Sequence, residues 1–398
     1  MTTCTIIGIS DSRRQWFPPD VLNIIQTGRV FSGGQRHHEI MKPLLPQTHE
    51  WIDITVPISK VFDAYRLYDD IVIFASGDPL FFGFAVTVKR ECPDCKMRVI
   101  PYFNSLQMLA HKLNLPYHDM SIVSLTGRTW KKFDEALIKG EPLIGCLTDR
   151  DKTPERIWER MVDYGYSNYQ MIVAEKLGNE EEERIGMYKE GTHYDTPNCL
   201  MLKKVSERPI PFGLPDDQFE LLDGREKMIT KWPIRLATLA VLELQDKTSF
   251  WDIGFCTGSI SIEAKLRFPH LDITAFEIRK EGERLMNINS RRFGTPGIET
   301  VIADFCKADI SNLIPPDAVF IGGHGGKLKD IFTKAKNVLR PEGCIVFNSV
   351  CEDSKNLFME AAKENEMTCE ACQTIQTNGN NPITILKAYN TQDSSPHI

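Results

Sequence analysis

The chain has 398 residues, of which 42% are hydrophobic and 25% charged, and a formal net charge of -7. That length exceeds what one hydrophobic core usually serves, so two domains are expected, and the ordinary composition excludes a disordered, collagenous or disulfide-stapled chain. Negative charge gives no global attraction to nucleic acid, and no apolar run approaches the roughly 20 residues of a membrane span.

In chain order, strand-like runs at Thr5 to Ile9, Ile71 to Ala75, Ser121 to Leu125, Leu143 to Leu147 and Gln170 to Ala174 alternate with helix-like stretches. This alternation predicts an α/β domain, with Leu200 to Lys204 as its last strand. The acidic run Glu180 to Glu183 reads as a solvated loop. Eleven cysteines show no small-domain pairing pattern and Met1 is followed by no apolar leader, which fits a reducing cytoplasm. Cys92 and Cys95 form one C-x-x-C without a clear second pair, so no metal site is expected.

From Ser206 to Pro215 the chain carries Pro209, Pro211, Gly213 and Pro215, a density that breaks helices and strands and marks a linker. A helix-like run from Met228 to Leu244 then leads into Ser249 to Ile253, a glycine-bearing turn, a helix, and Ile273 to Phe276. That order is a βαβ unit of a parallel sheet. Ala318 to Ile321 and Cys344 to Asn348 are further strands. Thr374 to Thr377 and Thr384 to Ala388 flank an Asn-Gly-Asn-Asn turn at 378 to 381, predicting an antiparallel hairpin that closes the sheet. The expected division is residues 1–206, residues 207–390 and a polar tail at 391–398.

Asp252-Ile253-Gly254-Phe255-Cys256-Thr257-Gly258 lies between a strand and a helix, where glycines admit close backbone approach and the helix N-terminus offers free amides. Glu277, 25 residues after Asp252, ends the next strand and can accept hydrogen bonds from ribose hydroxyls. Asp252, Gly254, Thr257, Gly258, Glu277 and Asp304 are the candidate cofactor residues of this half. A strand ending in Gly322-Gly323-His324-Gly325-Gly326 sets bare backbone at the carboxyl edge of the sheet, where a large flat substrate can approach. Cys256 as a nucleophile has no assignable base, and the bland reading is a small packed hydrophobe.

With Gly213-Leu214-Pro215-Asp216, Thr230-Lys231, Ser259-Ile260-Ser261-Ile262-Glu263 and Phe320 to Gly326, this half resembles the Rossmann-like, SAM-dependent (S-adenosylmethionine-dependent) methyltransferases that methylate precorrins at C15 and decarboxylate them. The resemblance implies SAM as cofactor, Gly322 and Gly323 at the substrate, and Lys231, Arg235 and His324 as residues that anchor carboxylates or guide a proton. Cys256 stands where that family usually has glycine, and Trp232-Pro233 where a charged residue is common.

In the first half, Ser76-Gly77-Asp78-Pro79-Leu80-Phe81-Phe82-Gly83 follows an apolar strand, and Gly77 with Pro79 forces a turn. Together with Ile7-Gly8-Ile9, Ser32 to His37, Ser124 to Arg128, and Leu147-Thr148, it resembles the cofactor loop and flanking motifs of the C5-methylating tetrapyrrole methylases. That likeness implies SAM contacts at Gly8, Gly77, Asp78 and Pro79 and substrate contacts at Arg36, His37 and Arg128. Arg128 can clamp a carboxylate through two parallel hydrogen bonds, although a structural ion pair is an equal reading. The first loop, Ser10-Asp11-Ser12, is poorer in glycine than in that family, and Pro101 to Ser105 replaces its Pro-Gly-x-Ser-Ser string.

The resemblances together imply two SAM-dependent methylations of a tetrapyrrole, at C5 and C15, with loss of carbon dioxide from the C12 acetate, on the route to cobalamin. Expected partners are the precorrin and other copies of the chain, with no nucleic acid and no membrane. An RNA or protein methyltransferase, and a SAM- or tetrapyrrole-binding module without turnover, remain the alternatives, because a Rossmann-type domain does not define its acceptor.

Overall fold

A computed structural model describes residues 2–225, 227–377 and 381–390. The chain divides into two compact units. The first comprises the residues up to Arg128 with Glu141–Trp158 and Tyr169–Val205, and the second comprises Thr129–Gly140, Glu159–Asn168 and the residues from Ser206 onward.

The first unit is built on ten strands: β1 (Thr3–Ile9), β2 (Val30–Gly33), β3 (Glu50–Asp53), β4 (Asp70–Ser76), β5 (Lys96–Ile100), β6 (Ser121–Ser124), β7 (Leu143–Leu147), β8 (Tyr169–Glu175), β9 (Arg184–Met187) and β10 (Asn198–Lys204). They form two five-stranded sheets, ordered β3-β2-β4-β1-β5 and β6-β7-β10-β8-β9. The first sheet is wholly parallel. In the second, only β6 and β7 run parallel. The interior of β4 is a continuous buried run, Ile71 to Ala75, as a strand covered on both faces requires.

Strands β11 (Ser249–Ile253), β12 (Asp272–Glu277), β13 (Ile298–Ile302), β14 (Ala318–Ile321), β15 (Cys344–Ser349), β16 (Met367–Ile375) and β17 (Ile383–Asn390) make the sheet of the second unit. Its order is β13-β12-β11-β14-β15-β17-β16, with the last two strands antiparallel to their neighbours. Period-2 alternation splits these strands cleanly between two cores. Trp251, Ile253, Val319, Ile321, Ile345 and Phe347 pack on one face, and Phe250, Ile273, Ala318, Phe320 and Val346 on the other. The helix Glu281–Phe293 has Glu281 and Glu283 in its first turn and Arg291 and Arg292 in its last, matching its macrodipole.

The expected closing hairpin is present as β16 and β17; residues 378–380 of its turn, and the tail 391–398, lie outside the described residues. The reading of a single C-x-x-C is corrected. Cys92 and Cys95 are joined by a disulfide, and a second C-x-x-C, Cys369 and Cys372, lies at a bulge in β16 between Ala371 and Gln373. The acidic run is a solvated loop, as expected, with Glu180 to Glu182 exposed; Glu180 accepts from the Ser12 hydroxyl and the Arg13 amide, Glu182 pairs with Lys176 at 2.9 Å, and Glu183 with Lys112 at 2.7 Å. No helix among the described residues is long and apolar enough to cross a membrane.

Candidate active sites

In the second unit β11 ends at Ile253 and the chain turns at Gly254 with φ +78°. A side chain there would place Cβ 2.6 Å from the Gly323 backbone, while Gly322 N–H donates to Ile253 O at 2.8 Å. The glycines of these two turns therefore answer one packing demand, backbone against backbone at the carboxyl edge of the sheet. Above them opens a cavity of about 780 Å³, within the range of small-molecule sites.

Asp252, Gly254, Thr257, Glu277 and Asp304 line it, as do Lys231, Gly322, Gly323 and His324. Asp252 is 1% exposed; its Oδ2 accepts from Ser261 Oγ at 2.6 Å, and its Oδ1 has no partner. Burial pushes its carboxyl up to about 7, because a low-dielectric setting disfavours the charge. Thr257 Oγ1 is likewise buried and unpartnered. Two orphaned polar atoms on one turn ask for a ligand that carries hydrogen-bonding groups.

Glu277 is 2% exposed and organises the turn. Its Oε2 accepts from Cys256 N–H at 2.9 Å, and its Oε1 accepts from the Arg279 backbone at 3.0 Å and the Arg279 guanidinium at 3.1 Å. A carboxylate offers about four acceptor positions, so one remains for a ligand hydroxyl. Cys256 takes φ +52°, the left-handed region that glycine occupies without cost. Burial, with Glu277 beside it, pushes its thiol up to about 11, so at neutral pH it is no thiolate nucleophile.

Asp304 is bound by Lys327 at 2.8 Å, and that ammonium holds its carboxyl below the usual range. His324 Nδ1 accepts from Gly326 N–H at 3.2 Å, which places the neutral ring's proton on Nε2. Burial lowers its pKa, so it stays neutral at physiological pH.

Two expected residues lie elsewhere. Gly258 caps the helix Ser259–Arg267 at φ +76°, where a Cβ would meet Met286 Sδ at 2.6 Å. Arg235 is 0% exposed, and its guanidinium is already spent on the protein. It donates to Glu263 Oε2 at 3.1 Å, Thr230 O at 2.9 Å, Asp216 Oδ1 at 3.4 Å and Leu214 O. Glu263, also buried, accepts from Gly213 N–H at 3.1 Å and Leu214 N–H at 3.0 Å. Arg235 is thus withdrawn from any substrate. One buried ion pair ties together the three segments at 213–216, 230–235 and 259–263. Sequence reasoning missed Ser261 and Glu263 as anchors and Arg279 and Lys327 as lining cations; Arg279 lies two residues from its partner Glu277, whereas the partners of Ser261, Glu263 and Lys327 are far along the chain.

In the first unit Gly77, φ +60°, donates to Ile9 O at 2.8 Å. A Cβ on Gly8 would overlap the Gly77 carbonyl oxygen, and one on Gly77 would stand 3.0 Å from Asn104 Cα. The end of β1 and the loops after β4 and β5 therefore meet backbone to backbone. Asn104 caps the helix Ser105–Lys112 in a reciprocal pair with Gln107, the role that polar residues fill at helix starts. Beside this crossing lies a cavity of about 560 Å³ lined by Gly77 and His37, among others, while Gly8, Asp78, Pro79, Arg36 and Arg128 do not line it. Asp78 instead caps its own turn, accepting from Leu80 N–H at 2.9 Å.

Arg36 and His37 converge on Ser76 Oγ, each at 2.9 Å, and Arg36 also pairs with Asp11 at 3.1 Å. Asp11 in the glycine-poor first loop is therefore the anchor of Arg36. His37 Nδ1 accepts from Gly34 N–H at 3.3 Å; burial, with Arg36 beside it, lowers the ring's pKa to about 4.

The two halves match two family models: tetrapyrrole (corrin/porphyrin) methylases over residues 3–189 and the precorrin methyltransferase domain over residues 222–394. Over 365 residues the chain is 29% identical to the precorrin-6Y C(5,15)-methyltransferase [decarboxylating] of Sinorhizobium sp, spanning 89% of this chain and 86% of that one. A cobalt-precorrin-6B C(15)-methyltransferase (decarboxylating) of Salmonella typhimurium is 35% identical over 133 residues, which are 33% of this chain and 68% of that one. A cobalt-precorrin-7 C(5)-methyltransferase of the same organism is 25% identical over 178 residues, 45% of this chain and 87% of that one. The chain belongs to the precorrin-6Y C5,15-methyltransferase family.

Proposed function

We propose that the protein transfers two methyl groups from SAM to precorrin-6Y or its cobalt form, at C5 in the first half (residues 1–206) and at C15 in the second (residues 207–390), with decarboxylation of the C12 acetate. One observation carries the reading: a single chain joins two glycine-turn cavities, and its separate halves are similar to a C(5)- and a C(15)-methyltransferase.

The residues present fit SAM in the second unit. Asp252 Oδ1 and Thr257 Oγ1 are buried polar atoms without partners, and Glu277 keeps one acceptor position for a ribose hydroxyl. When bound, SAM supplies an already activated methyl group, so the protein's task is alignment and exclusion of water. Gly322 and Gly323 let the macrocycle lie against backbone. Lys231, 35% exposed and 3.7 Å from Asp216, is free enough to reach a substrate carboxylate. His324 Nε2–H can donate to an acceptor on the substrate. In decarboxylation the carboxylate carbon–carbon bond breaks, carbon dioxide leaves, and the electron pair passes into the conjugated imines of the macrocycle.

The test is to incubate the full chain with SAM and precorrin-6Y and to weigh the product. The reading requires two added methyls and loss of one carbon dioxide; unchanged substrate, with a known precorrin methyltransferase active in parallel, refutes it.

A further inference from the structure

Next to Phe82 and Thr126, which line the first-unit cavity, stands Arg128, an arginine with no acidic partner among the described residues. Arg128 is exposed, follows Gly127 at φ +62°, and donates from Nη1 to Ser124 Oγ at 2.9 Å and Thr126 O at 3.0 Å. No carboxylate of the described residues pairs with it, and its Nε and Nη2 make no hydrogen bond among them; Arg36, by contrast, is spent on Asp11 and Ser76.

The backbone under Arg128 is fixed. Leu125 N–H donates to Leu147 O at 2.8 Å, Thr126 Oγ1 to Thr148 O at 3.0 Å, and Gly127 N–H to Asp149 Oδ2 at 2.9 Å. The guanidinium lies 5.0 Å over the ring of Phe82. Phe82 lines the cavity, is 46% exposed, and holds φ +54°. A bulky aromatic in the left-handed region is uncommon, and such strain persists where surrounding structure has a use for it. Its ring gains no core burial in return. What it gains is a face for Arg128, with Phe81 edge-on at 5.0 Å behind it.

We propose that Phe82, which lines the first-unit cavity, is a positioning residue that holds Arg128 beside it as a carboxylate clamp. The cation–π contact tethers the guanidinium over the ring while Nε and Nη2 keep no protein partner among the described residues, and that edge of an arginine can grip a carboxylate through two parallel hydrogen bonds. The ligand is an acidic side chain of the macrocycle, so the proposal rests on the reading above and deepens it for the C5 reaction. Phe82 acts only through Arg128 and touches no reacting atom.

The experiment measures C5 methylation by the full chain at varied precorrin-6Y concentration, with SAM affinity and thermal melting in parallel. Arg128→Gln is expected to raise KM for the macrocycle about 10- to 100-fold, the loss of a charge-assisted bond, with kcat and SAM affinity within twofold. Phe82→Gly removes the platform and suits the positive φ, so it should raise KM without lowering the melting temperature; Phe82→Trp should restore KM, and Arg128→Lys should not. Unchanged KM in both Arg128→Gln and Phe82→Gly, with wild-type methylation intact, overturns the clamp alone. Wild-type protein that never methylates C5 overturns the reading and the clamp together.

Discussion

Replacing Arg235 with methionine separates a substrate anchor from a structural keystone. Arg235 and Glu263 are both 0% exposed, and the guanidinium meets three loop acceptors besides the carboxylate. Removing one member of a buried pair leaves an uncompensated charge, typically a loss of about 3–5 kcal/mol. Glu263 keeps its two amide donors, Gly213 and Leu214, which places Arg235→Met near the lower end, about 3 kcal/mol. For a unit of this size that is a fall of roughly 6–12 °C in melting temperature. Differential scanning calorimetry of the full chain, with urea titration as a second probe, reads the change in the second-unit transition. Glu263→Gln, which keeps the shape and removes the charge, should lose a similar amount. A shift under about 1 kcal/mol, accompanied by a raised KM for the macrocycle, would refute this reasoning and return Arg235 to the substrate.

Three further outcomes are expected. Cys256→Gly relieves a side chain held at φ +52° and should stabilise the second unit by about 1 kcal/mol, read as a higher melting temperature. SAM affinity of the second unit should rise with pH up to about 7 and then level, because a ligand donor on Asp252 Oδ1 favours the ionised carboxyl whose pKa burial has raised to about 7; binding then releases a proton, measurable by calorimetry in buffers of different ionisation enthalpy, and Asp252→Asn abolishes the release. His37, with its pKa lowered to about 4 from 6.5, binds a proton more readily when unfolded, so stability is fully present above pH 6.5 and declines as pH falls towards 4. Urea unfolding of His37→Asn between those values should show a shallower decline than wild type.

What was legible in the sequence was whatever burial writes locally. The strands β4, β7 and β14 are continuous apolar runs in their interiors and β11 is buried throughout, and each was evident within a residue or so. The strands β3, β9 and β13 were not, because they lie at sheet edges and are largely exposed or half-buried, so Glu50 to Asp53 or Arg184 to Met187 carries no alternation worth reading. The glycine turns were visible through composition, and their partners were not: nothing short-range links Gly254 to Gly323, Glu263 to Arg235, or Arg128 to Phe82. Arg235 looked like a free cation for the same reason, since its four acceptors come from three separated segments.

The central claim, one methylation centre in each unit, is tested most directly by locating isotope-labelled methyls on the product with NMR, using wild type, Gly254→Val and Gly77→Val. Each valine meets a left-handed backbone and close neighbours, at φ +78° and +60°, and should silence its own turn. The account predicts label at C5 and C15 in wild type, at C5 alone with the acetate retained in Gly254→Val, and at C15 alone with carbon dioxide lost in Gly77→Val. Loss of both labels from either folded variant, or label at both positions despite Gly254→Val, would contradict it.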